Sequence, residues 1–263
     1  MIVDSHCHLD YFQGEEQDAV VARARQAGVT TMVTIGTRLG EQAATVREIA
    51  GRYEGVFATV GIHPHNAGER AVPTVEEILR EADHPKVIGI GESGLDYFYD
   101  KAPRPMQAES FRAHIAAARV SGLPLVIHSR DADADMAAIL DDESGKGAFP
   151  FLLHCFSSGA ELARTAIRLG GYVSFSGILT FPKSEENRAI AAEVPADRLL
   201  VETDSPYLAP VPLRGTRCEP AYTAHTAAKL AEVRGMGLAA LAELTTANFH
   251  RLFQRSRPGV HLR

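Results

Sequence analysis

The chain alternates between short apolar runs and longer amphipathic stretches. Such runs are typical of buried strands in a parallel sheet, and the amphipathic stretches predict helices that cover the sheet. Strands are predicted at residues 2–4, 31–35, 56–60, 87–91, 125–128, 151–154, 172–174 and 199–202. Helices are predicted at residues 18–27, 41–52, 75–82, 106–121, 132–140, 160–169 and 184–193, and two more at 220–234 and 238–255.

The regular order of these elements predicts the fold class. Strand and helix alternate about every 30 residues, which indicates βα units and a parallel sheet. Eight such units in roughly 250 residues correspond to a (β/α)8 barrel. We therefore expect an α/β chain that folds as one (β/α)8 TIM-type barrel, a single domain over residues 1–263.

The composition is that of an ordinary globular protein. The 263 residues are 45% hydrophobic and 23% charged, which is enough to build a core without disulfide bonds. The three cysteines, Cys7, Cys155 and Cys218, are expected to be free thiols in a reducing compartment, and no CxxC pair indicates a thiolate zinc site. Neither a secretory signal nor an apolar run of about 20 residues is visible in the sequence. We therefore expect a cytoplasmic location and no membrane partner.

The net charge of −6 argues against a protein that coats nucleic acid, which would need a basic surface. A nucleic-acid substrate would have to be handled at a local site, where metal ions supply the positive charge.

Two histidines of the first predicted strand provide the first indication of chemistry. His6 and His8 are two residues apart, so their side chains share one face of an extended strand. Two imidazoles that converge on one point usually hold a metal ion. Alone, the pair is equally consistent with two polar residues at a strand end.

Further histidines and carboxylates follow the other predicted strands in order. In barrel enzymes the active site lies where the strands end. Residues of this kind at predicted strand ends are His63, His65, Glu92, His128, His154, Glu202 and Asp204. Such an ordered series argues against independent structural histidines.

The expected ligands are imidazole nitrogens and carboxylate oxygens, without sulfur. This set suits zinc, manganese, nickel or cobalt, and magnesium where carboxylates dominate. The six expected ligands are His6, His8, Glu92, His128, His154 and Asp204. Six ligands exceed the need of one tetrahedral ion, whereas two ions that share a bridging carboxylate would use them all. Two such ions can hold a hydroxide nucleophile and polarise a phosphoryl or carbonyl oxygen.

Several motifs identify a family. They are DSHCHLD at residues 4–10, GIHPH at 61–65, GESGLDY at 91–97, PLVIHSR at 124–130, HCFS at 154–157, ETDSPYL at 202–208, RG at 214–215 and NF at 248–249. By these motifs the chain resembles the TatD family of metal-dependent deoxyribonucleases, within the amidohydrolase-like metallo-barrels. Because the motifs span nearly the whole chain in order, they are specific for the family, though much less so for one substrate.

The resemblance implies a role for each residue. The first metal would be held by His6, His8, Glu92 and Asp204, and the second by Glu92, His128 and His154. Asp204 is also the natural general base toward the metal-bound water. Glu202 shares the strand face of Asp204; it is either a second carboxylate at the metals or part of an ion pair inside the barrel.

Phosphate contacts are also implied. His63 and His65 resemble phosphate-binding residues on a loop where Gly61 would let the backbone approach the substrate closely. A loop histidine capped by the backbone is the alternative for His65. Arg214 would supply a forked donor to a phosphate, unless it is a solvated loop arginine. The family commonly has Lys and Asn where this chain has Thr216 and Cys218, so a phosphate contact from this loop is open.

These residues predict a metal-dependent hydrolase of phosphodiester bonds that attacks with a water activated by two divalent ions (Mg, Mn or Zn). The resemblance implies a deoxyribonuclease that acts on DNA ends with 3′→5′ exonuclease activity, as a monomer. Two alternatives remain: an amidohydrolase or lactonase acting on a small ester or amide, and a non-catalytic metal-binding barrel. The carboxylated lysine usual in related amidohydrolases is replaced here by Glu92, which disfavours the first alternative.

Overall fold

Parallel strands follow one another around a barrel in chain order, in a computed structural model that describes residues 1–257. Within these residues the eight strands are β1 (Ile2–Cys7), β2 (Val29–Thr34), β3 (Val56–Val60), β4 (Val87–Asp96), β5 (Leu125–Arg130), β6 (Phe151–Leu153), β7 (Tyr172–Phe175) and β8 (Leu199–Val201). The predicted (β/α)8 barrel is thus confirmed. The last six residues of the predicted domain, 258–263, lie outside the described part of the chain.

Helices cover the outside of the barrel. They are α1 (Glu15–Gln26), α2 (Glu41–Arg52), α3 (Val75–Ala82), α4 (Arg104–Ser121), α5 (Asp133–Gly145), α6 (Ala160–Arg168), α7 (Glu185–Glu193), α8 (Thr223–Val233) and α9 (Leu238–Leu252). Local sequence sets some of these ends: α3 begins with a capping box in which Thr74 and Glu77 bind each other's backbone N–H. None of the helices in residues 1–257 is long and apolar enough to cross a membrane.

The apolar core forms two layers. One layer lies between the strands and the helices. The other lies inside the barrel and includes Val3, Ile88, Val126, Leu152 and Leu200. Phe249 of α9 and Phe253, which directly follows α9, pack onto this layer. Val3, Ile88 and Val126 are the second residues of their strands, and Leu152 and Leu200 are the central residues of strands of three. The apolar filling therefore occupies the end where the strands begin, and the opposite end is left to polar side chains.

The last pair of strands closes the barrel at its polar end. Strands β1 and β8 meet through the bridge between Cys7 and Ser205, just beyond β8. There the backbone N–H of His8 donates to the Ser205 carbonyl at 2.8 Å, and that of Asp204 donates to the His6 carbonyl at 2.9 Å. The residues that close the barrel are therefore candidate ligands or their direct neighbours.

Element boundaries differ from prediction by as many as five residues, which is the difference at the ends of both β4 and α5. The bounds of β3, α2 and α3 agree with prediction, but the predicted end of β4 at Gly91 is wrong by five residues. Strand β4 continues because β5 continues beside it, with Gly94 paired to His128 and Asp96 to Arg130. Hydrogen bonds to a neighbouring strand therefore extend a segment that its polar sequence would have ended.

Candidate metal centre

The first group of candidate ligands lies between β1 and the end of β8. Nε2 of His6 lies 3.5 Å from both Oε2 of Glu92 and Oδ1 of Asp204. Nε2 of His8 lies 3.5 Å from the same Asp204 oxygen. Tetrahedral ligands at about 2.1 Å from an ion stand roughly 3.4 Å from one another, so this spacing fits a metal ion.

Unpaired nitrogen atoms in this group support the same conclusion. His6 is fully buried and His8 nearly so, yet both ring nitrogens of His6 and Nδ1 of His8 lack a hydrogen-bond partner among the described residues. A buried polar atom without a partner is costly, and a metal ion would satisfy Nε2 of His6, the nitrogen that faces both Glu92 and Asp204. The residues present therefore fit a metal site.

The second group surrounds the other oxygen of Glu92. Oε1 of this carboxylate lies 2.7 Å from Nε2 of His154 and 3.0 Å from Nδ1 of His128. Because Oε2 of Glu92 faces His6, the carboxylate stands between the two groups of imidazoles. This is the position that a bridging ligand occupies when it is shared by two ions.

Two more carboxylates contact the imidazoles of the second group, at the ring nitrogens that do not face Glu92. Oδ2 of Asp96 lies 3.0 Å from Nε2 of His128, and Oε1 of Glu202 lies 3.2 Å from Nδ1 of His154. The backbone N–H of Cys155 also donates to Glu202, at 2.7 Å. Such carboxylates fix the orientation and the tautomer of a ligating imidazole. Glu202 thus contacts Nδ1 of His154, while Nε2 of the same ring faces Glu92.

His63 and His65 lie on the loop after β3. Nδ1 of His63 accepts a hydrogen bond from the backbone N–H of His65 at 3.0 Å. In a neutral imidazole the other nitrogen then carries the hydrogen, so Nε2 of His63 is a donor, pointed at Oε1 of Glu92 3.3 Å away. His65 binds Oδ2 of Asp96 through Nε2 at 2.8 Å.

The packing of this loop corrects the explanation given for Gly61. A Cβ atom at Gly61 would lie 2.5 Å from Cα of Gly91, so the close approach is to the backbone of β4 and not to a substrate. Sequence reasoning also missed His114 of α4, whose Nε2 accepts from the backbone N–H of Ile62 at 3.0 Å. A lone histidine on a helix gives no signal of this contact.

Burial and neighbouring charges set the protonation of the site. Burial alone would raise the pKa of Glu92, but the imidazoles of His154, His63 and His6 outweigh it and hold this pKa well below its ordinary value. Burial lowers the pKa of His63 to about 4, so this ring is neutral at neutral pH. An ionised Glu92 is the form that binds a cation.

Asp204 has the same preference for the ionised form. Burial by itself raises the pKa of its carboxyl group, but the hydrogen bond from His8 and the neighbouring imidazoles lower it below its ordinary value. Its backbone is in the left-handed region, with φ of +59°. Such conformations cluster at functional sites, where the surrounding structure compensates for their cost.

Asp4 lies below the ligands and was not predicted as a site residue. It is fully buried, and its carboxylate accepts hydrogen bonds from Oγ1 of Thr203 at 2.6 Å and from the backbone N–H groups of Thr203 and His6. Burial raises the pKa of Asp4 to about 7, against the effect of the Thr203 hydrogen bond. The carboxylate ties β1 to the segment that carries Asp204.

A cleft of about 640 Å³ opens above the ligands. Arg214 is not among the residues that line it; its guanidinium lies 3.7 Å from the centroid of the Phe181 ring. Thr216 is exposed on the same loop, and Cys218 is buried. The lining residues absent from the predicted site include Tyr11, Tyr99, Lys101, Arg130 and Tyr207.

A barrel of this topology, with histidines and carboxylates gathered where its strands end, defines a metal-dependent hydrolase. The comparison with known families makes this specific. Residues 3–254 match the family model described as TatD related DNase, and the chain belongs to that family. Hydrolases of this family act on ester bonds.

Relatives and solved structures agree with this assignment. The chain is 41% identical over 256 residues to the uncharacterized metal-dependent hydrolase YcfH of Escherichia coli K12, covering 96% of this chain and 95% of that protein. It is 36% identical to the 3′-5′ ssDNA/RNA exonuclease TatD of Cronobacter sakazakii, covering 92% and 93% of the two chains. The crystal structure of YjjV, a TatD homologue from Escherichia coli K12, superposes with a TM-score of 0.88 at 28% identity, covering 96% and 98%.

Proposed function

We propose that the protein is a phosphodiesterase that removes nucleotides from DNA ends in the 3′→5′ direction. The observation that carries the proposal is the position of Glu92, whose two oxygens face two separate groups of imidazoles. That arrangement suits a pair of ions on one phosphoryl group. The 3′→5′ direction rests on the similarity to the Cronobacter sakazakii exonuclease.

Six residues would hold the ions. We assign one ion to His6, His8, Glu92 and Asp204, and the other to Glu92, His128 and His154. When bound, two divalent ions supply Lewis-acid polarisation of the phosphoryl oxygen and lower the pKa of water. His154 and His128 are held in orientation for this task by Glu202 and Asp96.

Asp204 is the proposed general base. Its carboxylate is ionised, and it is partly exposed at the floor of the cleft. An ionised carboxylate in this position can accept the proton of an attacking water while the scissile P–O bond breaks. The role of Glu202 is to orient His154, since Glu202 is fully buried behind that ring.

His63 is proposed to donate to a phosphoryl oxygen. Its Nδ1 already accepts from the His65 backbone, so Nε2 carries the hydrogen; this N–H lies 3.3 Å from Oε1 of Glu92, and once Glu92 is engaged by the ions it can donate to an anion in the cleft that His63 lines. His65 lines the same cleft, with Asp96 orienting its ring. Such donors stabilise the charge that develops during phosphoryl transfer. A phosphate contact from Arg214 stays a prediction, as does the monomeric state.

The test uses metal-stripped protein and a single-stranded DNA oligonucleotide of about 20 nucleotides with a fluorophore at its 5′ end. With added magnesium, manganese or zinc, a 3′→5′ exonuclease produces a ladder of labelled fragments that shorten from the 3′ end. Glu92→Ala is expected to produce none. A circular single strand should resist cleavage, since it has no end.

The opposite results are equally clear. Immediate release of the labelled 5′ nucleotide would contradict the direction, and cleavage of the circle would contradict the restriction to ends. Intact DNA with all three metals would reject the nuclease. Hydrolysis of an ester or lactone by the same preparation would then favour the small-molecule hydrolase.

A further inference from the structure

The exposed aromatic side chains of this protein are not scattered over its surface. Among the described residues, the aromatic side chains classed as exposed are Tyr11, Phe98, Tyr99 and Tyr207, each about half accessible to solvent. Tyr11, Tyr99 and Tyr207 line the cleft above the metal centre, and Phe98 lines the groove next to it. Half-exposed aromatic rings at the mouth of a site suggest surfaces on which flat groups stack.

Two of these rings form one unit with an arginine. The rings of Phe98 and Tyr99 meet edge to face, with centroids 4.9 Å apart. The guanidinium carbon of Arg130 lies 4.1 Å from the Phe98 centroid and 4.9 Å from that of Tyr99. Arg130 ends β5 two residues after His128, so the barrel itself places this cation beside the metal ligands.

The charge of Arg130 is not neutralised locally. Across residues 1–257 no carboxylate lies within 4.0 Å of its guanidinium, nor of the ammonium group of Lys101, which also lines the cleft. Arg104, whose guanidinium lies over the neighbouring Tyr97 ring, pairs instead with Asp100. Uncompensated cations in a protein of net charge −6 mark a place for an external anion.

A second groove of about 580 Å³ continues outward from this unit. It is lined by Phe98, Arg130, Asp131, Asp133, Ser157, Ser158 and Gly159. Arg130 lines both this groove and the cleft above the metals, so the two spaces adjoin at its side chain. The exposed carboxylate of Asp131 on the outer part disfavours a phosphate there, so an anion is expected close to Arg130.

We propose that Phe98, Tyr99 and Arg130 form a platform that binds the nucleotide next to the scissile phosphate on a single-stranded substrate. The base stacks on the exposed ring of Phe98 in the groove, and Arg130 binds the phosphate on the 5′ side of the scissile one. This platform rests on the proposed function and adds a specificity element to it. A paired end in a blunt duplex cannot offer its base to the platform, so single strands are preferred.

The test compares three substrates: a 10-nucleotide single strand, a blunt duplex that contains it, and the small diester bis(p-nitrophenyl) phosphate. Loss of one base stack by alanine substitution corresponds to roughly 5- to 150-fold in affinity. Phe98→Ala is therefore expected to raise KM for the single strand by such a factor. Phe98→Tyr, which keeps the ring, should restore KM to within about twofold of the wild type.

The other substrates separate the platform from the metal centre. The small diester is too short to occupy the groove, so Phe98→Ala should hydrolyse it at the wild-type rate. Leu238→Ala, which truncates an exposed side chain of α9, is the control for all three substrates. Anisotropy of a labelled 10-mer with metal-stripped protein gives a second reading, in which Phe98→Ala weakens binding.

Salt dependence tests Arg130 by itself. A lost phosphate contact lowers the slope of log affinity against log salt by about 0.7 for a single strand. Arg130→Gln should show this change, and Arg164→Gln, at an exposed arginine of α6, should keep the wild-type slope. An unchanged slope in Arg130→Gln removes Arg130 from the platform.

The outcomes distinguish the two proposals. If wild type hydrolyses both the diester and the single strand while Phe98→Ala keeps its KM for the single strand, the platform is rejected and the proposed function stands. If wild type hydrolyses neither substrate with any of the three metals, the proposed function fails and the platform fails with it.

Discussion

Oδ2 of Asp96 lies 3.0 Å from Nε2 of His128, on the side of the ring opposite Glu92. One ring nitrogen of His128 is therefore held by a carboxylate, while the other faces the proposed ion. Such an outer carboxylate fixes the tautomer and raises the basicity of the ligand. The same carboxylate oxygen also binds His65, so Asp96 couples a proposed ligand to a proposed phosphate contact.

Asp96→Asn should weaken metal binding without unfolding the protein. The amide can still accept from the Tyr99 backbone N–H, as Oδ1 of Asp96 does, but its NH2 group would face the ring N–H of His128. We expect roughly 10- to 100-fold lower affinity for one of two ions, measured by calorimetric titration of metal-stripped protein. Asp135→Asn, at an exposed aspartate of α5, is the matched control. Equal affinities in the two variants would contradict a supporting role for Asp96.

His63→Ala should lower turnover without changing metal content. If Nε2 of His63 is a donor to phosphate, its loss removes one stabilising contact, for which about 100-fold in kcat is expected. Metal analysis should still find two ions per chain. The control is His225→Ala, at an exposed histidine of α8. Loss of an ion in His63→Ala would instead make His63 a ligand.

Metal removal should lower the melting temperature. Among the described residues, buried Nε2 of His6 has no hydrogen-bond partner without an ion, and an ion present at about 100 times its Kd adds roughly 3 kcal/mol to stability. For a chain of this size that corresponds to about 5–10 °C. Differential scanning calorimetry with and without chelator measures this change in melting temperature. In Glu92→Ala the change should be much smaller. An identical melting temperature in chelator and in metal would count against a bound ion.

His114 should make the fold less stable in acid. Burial lowers its pKa from 6.5 to about 4, so the unfolded chain binds the proton more readily than the folded one. The contribution of His114 to the free energy of unfolding is therefore complete above pH 6.5, and it is lost as the pH falls from there through the folded-state pKa of about 4. At pH 5 the loss is about 2 kcal/mol relative to pH 8.

The matched variant is His114→Gln, since the Gln carbonyl can still accept from the Ile62 N–H. The free energy of unfolding of this variant, from urea titrations at pH 8 and pH 5, should change by about 2 kcal/mol less than that of the wild type. Parallel pH profiles for the two proteins would exclude His114 as the titrating group.

Gly61→Ala should destabilise the loop that carries His63. The added methyl group would lie 2.5 Å from Cα of Gly91 in β4, directly before the proposed ligand Glu92. We expect a loss of roughly 3 kcal/mol or more in unfolding free energy. Gly51→Ala in α2, with open space around the new methyl group, should instead stabilise by about 0.5–1 kcal/mol. Similar values for the two variants would contradict the close contact.

The barrel follows from the amino-acid sequence alone. Alternating apolar runs and amphipathic stretches depend on local periodicity, and this periodicity placed β3, α2 and α3 at their observed bounds. It also placed the candidate ligands at strand ends, and the parallel barrel brings all strand ends to one side. Strand positions and the parallel barrel are therefore enough to predict that six candidate ligands lie together: His6, His8, Glu92, His128, His154 and Asp204.

Which atoms contact one another depends on how the closed barrel packs. The contacts of Asp96 with His128, of His114 with Ile62, and of Gly61 with Gly91 join residues on different elements, and such contacts leave no periodic signal in either segment. The extension of β4 depends on pairing with β5, and the contact of Phe98 with Arg130 joins the turn after β4 to the last residue of β5. Periodicity reports which face of an element is buried, whereas a contact depends on which neighbour the closed barrel brings to that face.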